Sequence, residues 1–560
     1  MRESGKTLRW LSRSAGRYQV HIGLMLLLQA LLGGTGVLMA LLMRTLVDTA
    51  VGRDQPGFLR AALLLAGLTL LQLGARALLR FLRERCSSGL ENRLKGQLFH
   101  CLLTRDYGAV TARHSGEWMN RLTSDVSLVA NSLTDLIPDL VGMTVRLLAA
   151  LVAIVALEPR FLVVLVPGGL LVLIITYGFR RVLKTMHRQV QEADGRVRVF
   201  LQERLQSLLV LRSFGREEQS CREAEEKMRE HRRARMRRAN FSNFCNTGFG
   251  LVIQGAYVAA AVVCGLGILN GTLSYGTMTA ILQLVAQIQS PFANLSGLLP
   301  RYTAMIASAE RLMEAEALTE DRPCPVPEEE LRRFYRQELT GFGLEALHFT
   351  YEPLAPEEGA APPPVVLDGL DLDLKKGRIV AFTGPSGSGK STILKLLLCL
   401  YRPDSGRCYL ETRQGRRDLT GDWRGLFAYV PQSNQLLMGS VRQIVAFGDP
   451  EGMTREAELR RALWIACADG FVDELEKGLD TVLGEGGAGL SEGQMQRLAI
   501  ARAIFSDRPI LLLDESTSAL DGVPERRVLE NLRAMTDKTV LIVTHRPAAL
   551  SICDEQIDLG

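Results

Sequence analysis

The ten cysteines include no C-x-x-C pair, so the sequence carries neither the usual spacing of a zinc site nor a disulfide framework. Scattered from Cys86 to Cys553, they read as reduced thiols in core or membrane positions. Histidine is scarce as well, seven in 560 residues. His21, His100 and His187 form no ligand pair and read as surface or interfacial. The net charge of +5 is modest and comes mainly from segments flanking apolar runs, which does not argue for a nucleic acid partner. A composition of 47% hydrophobic and 23% charged residues is too apolar for disorder. No internal repeat is visible, and no small-residue cleavage site follows the first apolar run. The basic start, with Arg2, Lys6, Arg9, Arg13 and Arg17 around Leu8, Trp10 and Leu11, therefore reads as an amphipathic segment on the cytoplasmic membrane surface.

What is present divides in two. The first three hundred residues alternate long apolar runs with charged blocks, and the remainder mixes both as a soluble α/β domain does. Apolar segments at 21–43, 58–79, 137–157, 161–178, 247–269 and 276–298 are each near the ~20 residues that span a bilayer. Only Glu158, Pro159 and Arg160 join the third and fourth, and 270–275 joins the fifth and sixth. The loops at 80–136 and 179–246 are long and charged, with a basic block at 231–238. The positive-inside bias places these loops, the N-terminus and the second domain in the cytoplasm. Both loops keep helical periodicity, so ~20 residues beyond the bilayer would project ~30 Å as stalks. The expected turning tips, at 107–115 and 201–211, are where a cytoplasmic domain could push. Residues 320–338, with Pro323, Pro325 and Pro327, read as a linker, and the proline-rich 352–364 as a surface loop.

The second domain is organised around Gly384-Pro385-Ser386-Gly387-Ser388-Gly389-Lys390-Ser391-Thr392. This is the complete G-x-x-x-x-G-K-[ST] phosphate loop. An apolar strand pattern at 379–382 precedes it and a helical one at 393–400 follows, as the motif requires. Its glycines let successive N–H groups turn inward toward phosphate oxygens. Lys390 would reach the β- and γ-phosphates of ATP, and the Ser391 hydroxyl would hold Mg²⁺. Ile510-Leu511-Leu512-Leu513-Asp514-Glu515 is an apolar strand ending in two carboxylates. Asp514 is placed for the Mg²⁺ shell, and Glu515 for polarising a water toward the γ-phosphate.

Leu490-Ser491-Glu492-Gly493-Gln494 resembles the signature of the ATP-binding cassette family, and other family elements follow the family's order. Tyr351 is similar to the aromatic that stacks on adenine, and Gln432 in Val430-Pro431-Gln432 to the loop glutamine. Ser518-Ala519-Leu520-Asp521 matches the loop after the acidic strand, and His545 in Val543-Thr544-His545 the switch histidine. Gly116-Glu117 and Arg121-Leu122 to Asp125 look like the family's first cytoplasmic loop. Nearly the whole chain resembles a half-transporter of the exporter type, as in multidrug, lipid and peptide exporters. The fold so implied is an α-helical six-span transmembrane domain with long cytoplasmic extensions over 1–320. A linker at 321–338 and an α/β P-loop ATP-binding cassette over 339–560 complete it.

The resemblance implies a head-to-tail dimer, with the phosphate loop of one chain facing the signature of the other, Ser491, Gly493 and Gln494. The free N–H groups opening the helix at 491–505 make a second anion site. In this reading Glu515, His545 and Lys390 are catalytic and Ser391, Gln432 and Asp514 arrange Mg²⁺. Tyr351, the phosphate loop and Asp521 complete the ATP contacts. Because the motif set is complete, a homodimer is favoured over a heterodimer. Glu492 stands where the common signature has glycine. Its carboxylate would either oppose a γ-phosphate or point away and favour the helix N-terminus by ~0.3–1 kcal/mol.

The expected activity is ATP-driven export of an unidentified drug-like, lipid or peptide cargo across a bacterial inner or plasma membrane. The alternative is an ATP-gated channel or nucleotide sensor. Gln29, Gln72, Gln254, Gln283 and Gln287 are either cavity-lining residues or helix–helix contacts, since unpaired amides are costly in lipid. Relatives of this pattern usually continue past the position of Gly560, leaving room for a further C-terminal piece.

Overall fold

The computed structural model describes residues 2–351, 363–433, 436–484, 487 and 489–560, without the side chains of 2–4, 8, 162–177, 180–181, 249, 253 and 289–299. The expected surface loop at 352–364 therefore lies largely outside the described residues. The chain forms two compact units, 1–98 with 120–314, and 99–119 with 315–560.

The first unit is helical. In chain order it contains α1 (Arg2–Ala15), α2 (Gln19–Val51) and most of α3 (Gln55–Thr104). The short α4 (Tyr107–Thr111) belongs to the second unit. There follow α5 (Ser115–Leu157), α6 (Leu162–Gln206), α7 (Leu208–Ser213), α8 (Glu217–Leu269) and α9 (Tyr275–Ala317). Among the described residues four helical stretches are long and apolar enough to cross a membrane, Gly5–Val51, Gln55–Thr104, Ser115–Leu157 and Glu217–Leu269. The segments 161–178 and 276–298 fall in α6 and α9, with many of their side chains outside the described residues. With 50 residues in α3 and 53 in α8, each runs roughly 75–80 Å at ~1.5 Å per residue. That is more than twice the ~30 Å hydrocarbon thickness of a bilayer, so these helices extend well beyond any membrane-spanning stretch.

Small residues let the helices approach closely. A Cβ on Gly33 of α2 would lie 2.7 Å from Gly142 O of α5. Gln287 Nε2 donates to Gly36 O at 2.8 Å and Gln29 Nε2 to Asp139 Oδ1 at 2.9 Å, so these two amides serve as helix–helix contacts. α5 carries π-helical turns at Arg121–Asp125 and Ser132–Leu136. In the first of them Asp125 and Arg121 are both buried. Asp125 accepts from Arg311 Nε at 2.7 Å and Ser308 Oγ at 2.8 Å, while Arg121 donates to Arg311 O at 2.5 Å. The wide turn thus sits where α5 and α9 are tied by buried, charge-assisted bonds.

The second unit opens after 315 with α10 (Glu328–Gln337), inside the stretch whose prolines read as a linker. Its Leu331, Phe334 and Tyr335 are buried in the core beneath the strands. Then come β1 (Leu339–Thr350), β2 (Val365–Lys375), β3 (Ile379–Thr383), α11 (Lys390–Leu397), β4 (Ser405–Thr412), β5 (Gly415–Asp418) and β6 (Phe427–Val430). A two-stranded ribbon, β7 (Gly439–Ser440) with β8 (Val482–Leu483), brackets α12 (Val441–Val445), α13 (Glu456–Ile465) and α14 (Asp469–Glu474). The last elements are α15 (Glu492–Phe505), β9 (Ile510–Asp514), α16 (Gly522–Arg533), β10 (Thr539–Val543), the short α17 (Pro547–Leu550) and β11 (Glu555–Asp558).

An antiparallel sheet runs β2-β1-β4-β5, and a parallel sheet runs β11-β3-β10-β9-β6. β9 and β10 are buried at every position. Strands covered on both faces must be continuously apolar, which is why Ile510 to Leu513 and Val540 to Val543 alternate with nothing polar.

Candidate functional site

The parallel sheet places the predicted chemistry. Its register pairs Phe382 of β3 with Val543 of β10, Val543 with Asp514 of β9, and Leu513 of β9 with Val430 of β6. Each strand therefore delivers a residue just past its carboxyl end: Gly384 after β3, His545 after β10, Glu515 after β9 and Gln432 after β6. In parallel α/β sheets that edge is where ligands bind.

The phosphate loop leaves β3 and closes on α11. Gly389 precedes the helix at φ +88°, and a Cβ there would lie 2.6 Å from Leu367 Cδ2 of β2, so only glycine fits. Pro385, Ser386 and Gly387 are exposed at the lip, with Ser388 N–H donating to Pro385 O at 3.3 Å. Lys390 is 6% exposed, and its ammonium donates to Gly384 O at 2.8 Å, Pro385 O at 2.7 Å and Ser388 Oγ at 3.4 Å. Among the described residues no carboxylate pairs with it, and a buried cation held only by neutral oxygens suits an anionic ligand.

Ser391 Oγ donates to Asp514 Oδ1 at 2.9 Å, and the Tyr429 hydroxyl donates to Asp514 Oδ2 at 3.1 Å. Burial raises the Asp514 carboxyl above the ordinary aspartate range, against the lowering effect of those two bonds. A hydroxyl beside a carboxylate is a hard-oxygen donor set that fits a Mg²⁺ ion. Glu515 accepts from Gln432 Nε2 at 2.8 Å. Its backbone is left-handed, φ +48°, unusual for a residue with a Cβ and a mark of functional strain. Tyr351 follows β1 directly, half-buried, with its hydroxyl 3.0 Å from Thr392 Oγ1. His545 is exposed beyond β10.

The signature residues form a second group. Ser491 caps α15, its Oγ accepting from Gln494 N–H at 3.3 Å while Gln494 Oε1 accepts from Ser491 N–H at 2.8 Å. The capping box occupies the Gln494 amide oxygen. Glu492 stands exposed in the first turn. A Cβ on Gly493 would lie 2.8 Å from Ala519 O, so the loop 518–521 lies directly on the signature. Asp521 caps α16 through its backbone.

Three residues were not among the sequence expectations. Buried Gln496 bonds Ser518 Oγ at 3.2 Å and Ala519 N–H at 3.0 Å. Arg546 donates to Leu520 O at 2.9 Å, Glu525 Oε2 at 3.0 Å and Ser518 O. Together they pin 518–521 between the signature helix and the switch segment. Tyr429 reads in sequence as a strand aromatic, whereas a lone glutamine on the apolar face of 495–505 was a usable signal for Gln496.

Comparisons with known proteins identify the family. The ABC transporter transmembrane region family matches residues 22–292, and the ABC transporter family matches 367–518. The chain is 31% identical to the ATP-dependent lipid A-core flippase of Aromatoleum aromaticum, over 84% of this chain and 76% of that protein. It is 30% identical to ABC transporter B family member 1 of Dictyostelium discoideum, over 81% of this chain but only 48% of that protein, so it spans about half the length of that relative. A bacterial Atm1-family ABC exporter solved with ATP bound shares the fold, at a TM-score of 0.77 and 22% identity over 97% of this chain and 94% of that one.

The chain belongs to the ABC transporter family, with the membrane domain and the ATP-binding cassette of an exporter joined in one polypeptide.

Proposed function

We propose that this chain is one half of an ATP-driven exporter that works as a dimer, more simply a homodimer, in a bacterial inner or plasma membrane with its cassette in the cytoplasm. The observation that carries the reading is the meeting of the phosphate loop, Gln432, Glu515 and His545 at one edge of the parallel sheet, with Gln432 bonded to Glu515 at 2.8 Å. Lys390 binds the β- and γ-phosphates, and Ser391, Gln432 and Asp514 would hold a Mg²⁺ ion, which would supply charge neutralisation. Glu515 accepts the proton of the attacking water, and His545 stabilises charge on the γ-phosphate.

Ser491, Gly493 and Gln494 of a second chain would close the site from the far side of the nucleotide. The helix end they open offers free N–H groups that its own phosphate loop does not need. ATP then draws two cassettes together and hydrolysis frees them. The stalk tips pass that motion to the membrane helices, which turn from inward-facing to outward-facing. The basic block at 231–238 supports the cytoplasmic placement of the loops. Kinship with a lipid flippase supports an amphiphilic cargo, which drug-like, lipid or peptide molecules all satisfy.

Reconstitution in liposomes tests the proposal. Steady Mg-ATP turnover without an ATP-gated ion current is the expected result. An ATP-gated current in a preparation that binds but does not turn over ATP would replace export with a channel.

A further inference from the structure

Tyr401 lies in the connection between α11 and β4, and three aromatic rings meet it at steep angles. The Tyr351 centroid is 5.3 Å away at 89°, Tyr107 is 5.5 Å away at 88°, and Phe349 is 5.5 Å away at 66°. These are edge-to-face contacts, in which the positive rim of one ring lies on the negative face of another, so each ring's tilt constrains its neighbour's. Tyr107 opens α4, the segment that continues α3 and packs in the same compact unit as the cassette. The Asp106 side chain caps that helix by accepting from Ala109 N–H at 3.0 Å, and Thr111 Oγ1 lies 3.4 Å from the Tyr401 hydroxyl. At the other end Tyr351 bonds Thr392, two residues past Lys390.

Rings that merely filled the core would be sealed from water. Phe349 is sealed in the core, but Tyr351 and Tyr401 are half-buried at its rim and Tyr107 is 37% exposed, so the three tyrosines lie along the edge of the core between a loop segment and the nucleotide side of the sheet.

We infer that Tyr401 is a positioning residue that links the adenine side of the nucleotide site to the segment 99–119 through the ring series Tyr351, Tyr401 and Tyr107. The inference rests on the reading of Tyr351 as the adenine-stacking residue. A purine settling on Tyr351 fixes that ring's tilt, Tyr401 follows to keep its edge contact, and Tyr107 carries the constraint into α4. By linkage the reverse holds, and any displacement of α4 that tilts Tyr107 changes the affinity for the base by the same factor. The relay touches the phosphate loop only through the Tyr351 hydroxyl on Thr392, a contact that Tyr107→Ala and Tyr401→Ala leave in place, so in those variants the triphosphate alone should not sense the loss.

Equilibrium binding of ATP and of inorganic tripolyphosphate to the full chain in lipid nanodiscs, in a Glu515→Gln background, separates the two. Tyr107→Ala is expected to weaken ATP about twofold to tenfold, the range of one lost edge-to-face pair, and to leave tripolyphosphate binding unchanged. Tyr107→Phe should bind ATP as the parent does. Tyr401→Ala should give a similar loss, and adding Tyr107→Ala to it should cost nothing more. Unchanged tripolyphosphate binding also certifies that each variant is folded. A lowered ATP affinity in Tyr351→Ala with none in Tyr107→Ala would overturn the relay alone, as would losses that multiply in the double variant or a parallel fall in tripolyphosphate binding. Unchanged ATP affinity in Tyr351→Ala would overturn the stacking reading and the relay with it.

Discussion

Replacing Glu515 separates backbone strain from chemistry. Its φ of +48° is fixed by neighbours, because its N–H donates to Val543 O at 3.0 Å and its C=O accepts from Ser518 N–H at 3.1 Å. A residue with a Cβ pays about 1–2 kcal/mol in that region. Glycine escapes this but loses about 0.5–1 kcal/mol through its freer unfolded state. Glu515→Gly and Glu515→Ala both forfeit the Gln432 hydrogen bond, so that loss cancels between them. Glycine should therefore be the more stable by about 0.5–1 kcal/mol, the reverse of the order at an unstrained position. For a domain of this size that is a rise of roughly 1–4 °C in midpoint. Tryptophan fluorescence through a thermal ramp at fixed rate reads it, with Trp423 and Trp464 as cassette probes. Both variants should have lost hydrolysis. An alanine variant as stable as the glycine one, or more so, would refute the strain assignment.

Gly389→Ala combines φ +88° with a Cβ 2.6 Å from Leu367 Cδ2, and should weaken ATP by about tenfold or more in equilibrium binding. Arg417 lies over Phe334 at 3.9 Å and Trp423 at 4.1 Å. Arg417→Ala should destabilise the cassette by about 1–2 kcal/mol, seen as an earlier thermal transition with altered Trp423 emission. Arg546→Ala frees the loop 518–521 from the switch segment and should lower kcat about tenfold with KM for ATP within about twofold, the loss expected for charge-assisted bonds. Arg546→Lys should recover only part, because an ammonium lacks the planar fork.

The phosphate loop, the acidic strand and the signature were legible because their chemistry is written in contiguous residues. Gly389 sits at its left-handed turn, Asp514 and Glu515 end a strand with no polar interior, and Ser491 caps its helix. The long helices were legible from apolar length and from periodicity that continued into charged stretches. Tertiary partners were not. Tyr429 meets Asp514 because β6 lies beside β9, and Arg546 reaches Ser518 across the end of the sheet. Pro323, Pro325 and Pro327 have the local pattern of a linker, whereas the amphipathic Leu331, Phe334 and Tyr335 that follow form a helix buried against the strands, and proline near a helix start is common. The π-helical turn at Arg121–Asp125 leaves no sequence mark of its own, since its width depends on the partners Ser308 and Arg311. The rings of Tyr107 and Tyr401 are 294 positions apart in sequence, beyond any local pattern.

Whether two chains share each site is open to a mixing experiment. A Lys390→Ala chain lacks a working phosphate loop but keeps its signature, and a Ser491→Arg chain has the opposite defect. Homodimers of either have no intact site if the sites are shared head to tail, whereas every mixed dimer has one. Equal amounts co-reconstituted from exchanging protomers should therefore recover single-turnover Mg-ATP hydrolysis at about a quarter of the wild-type site number, while each chain alone stays silent. A mixture as silent as its components, with mixed dimers present and ATP still bound by the Ser491→Arg chain, would contradict a site completed by a second chain.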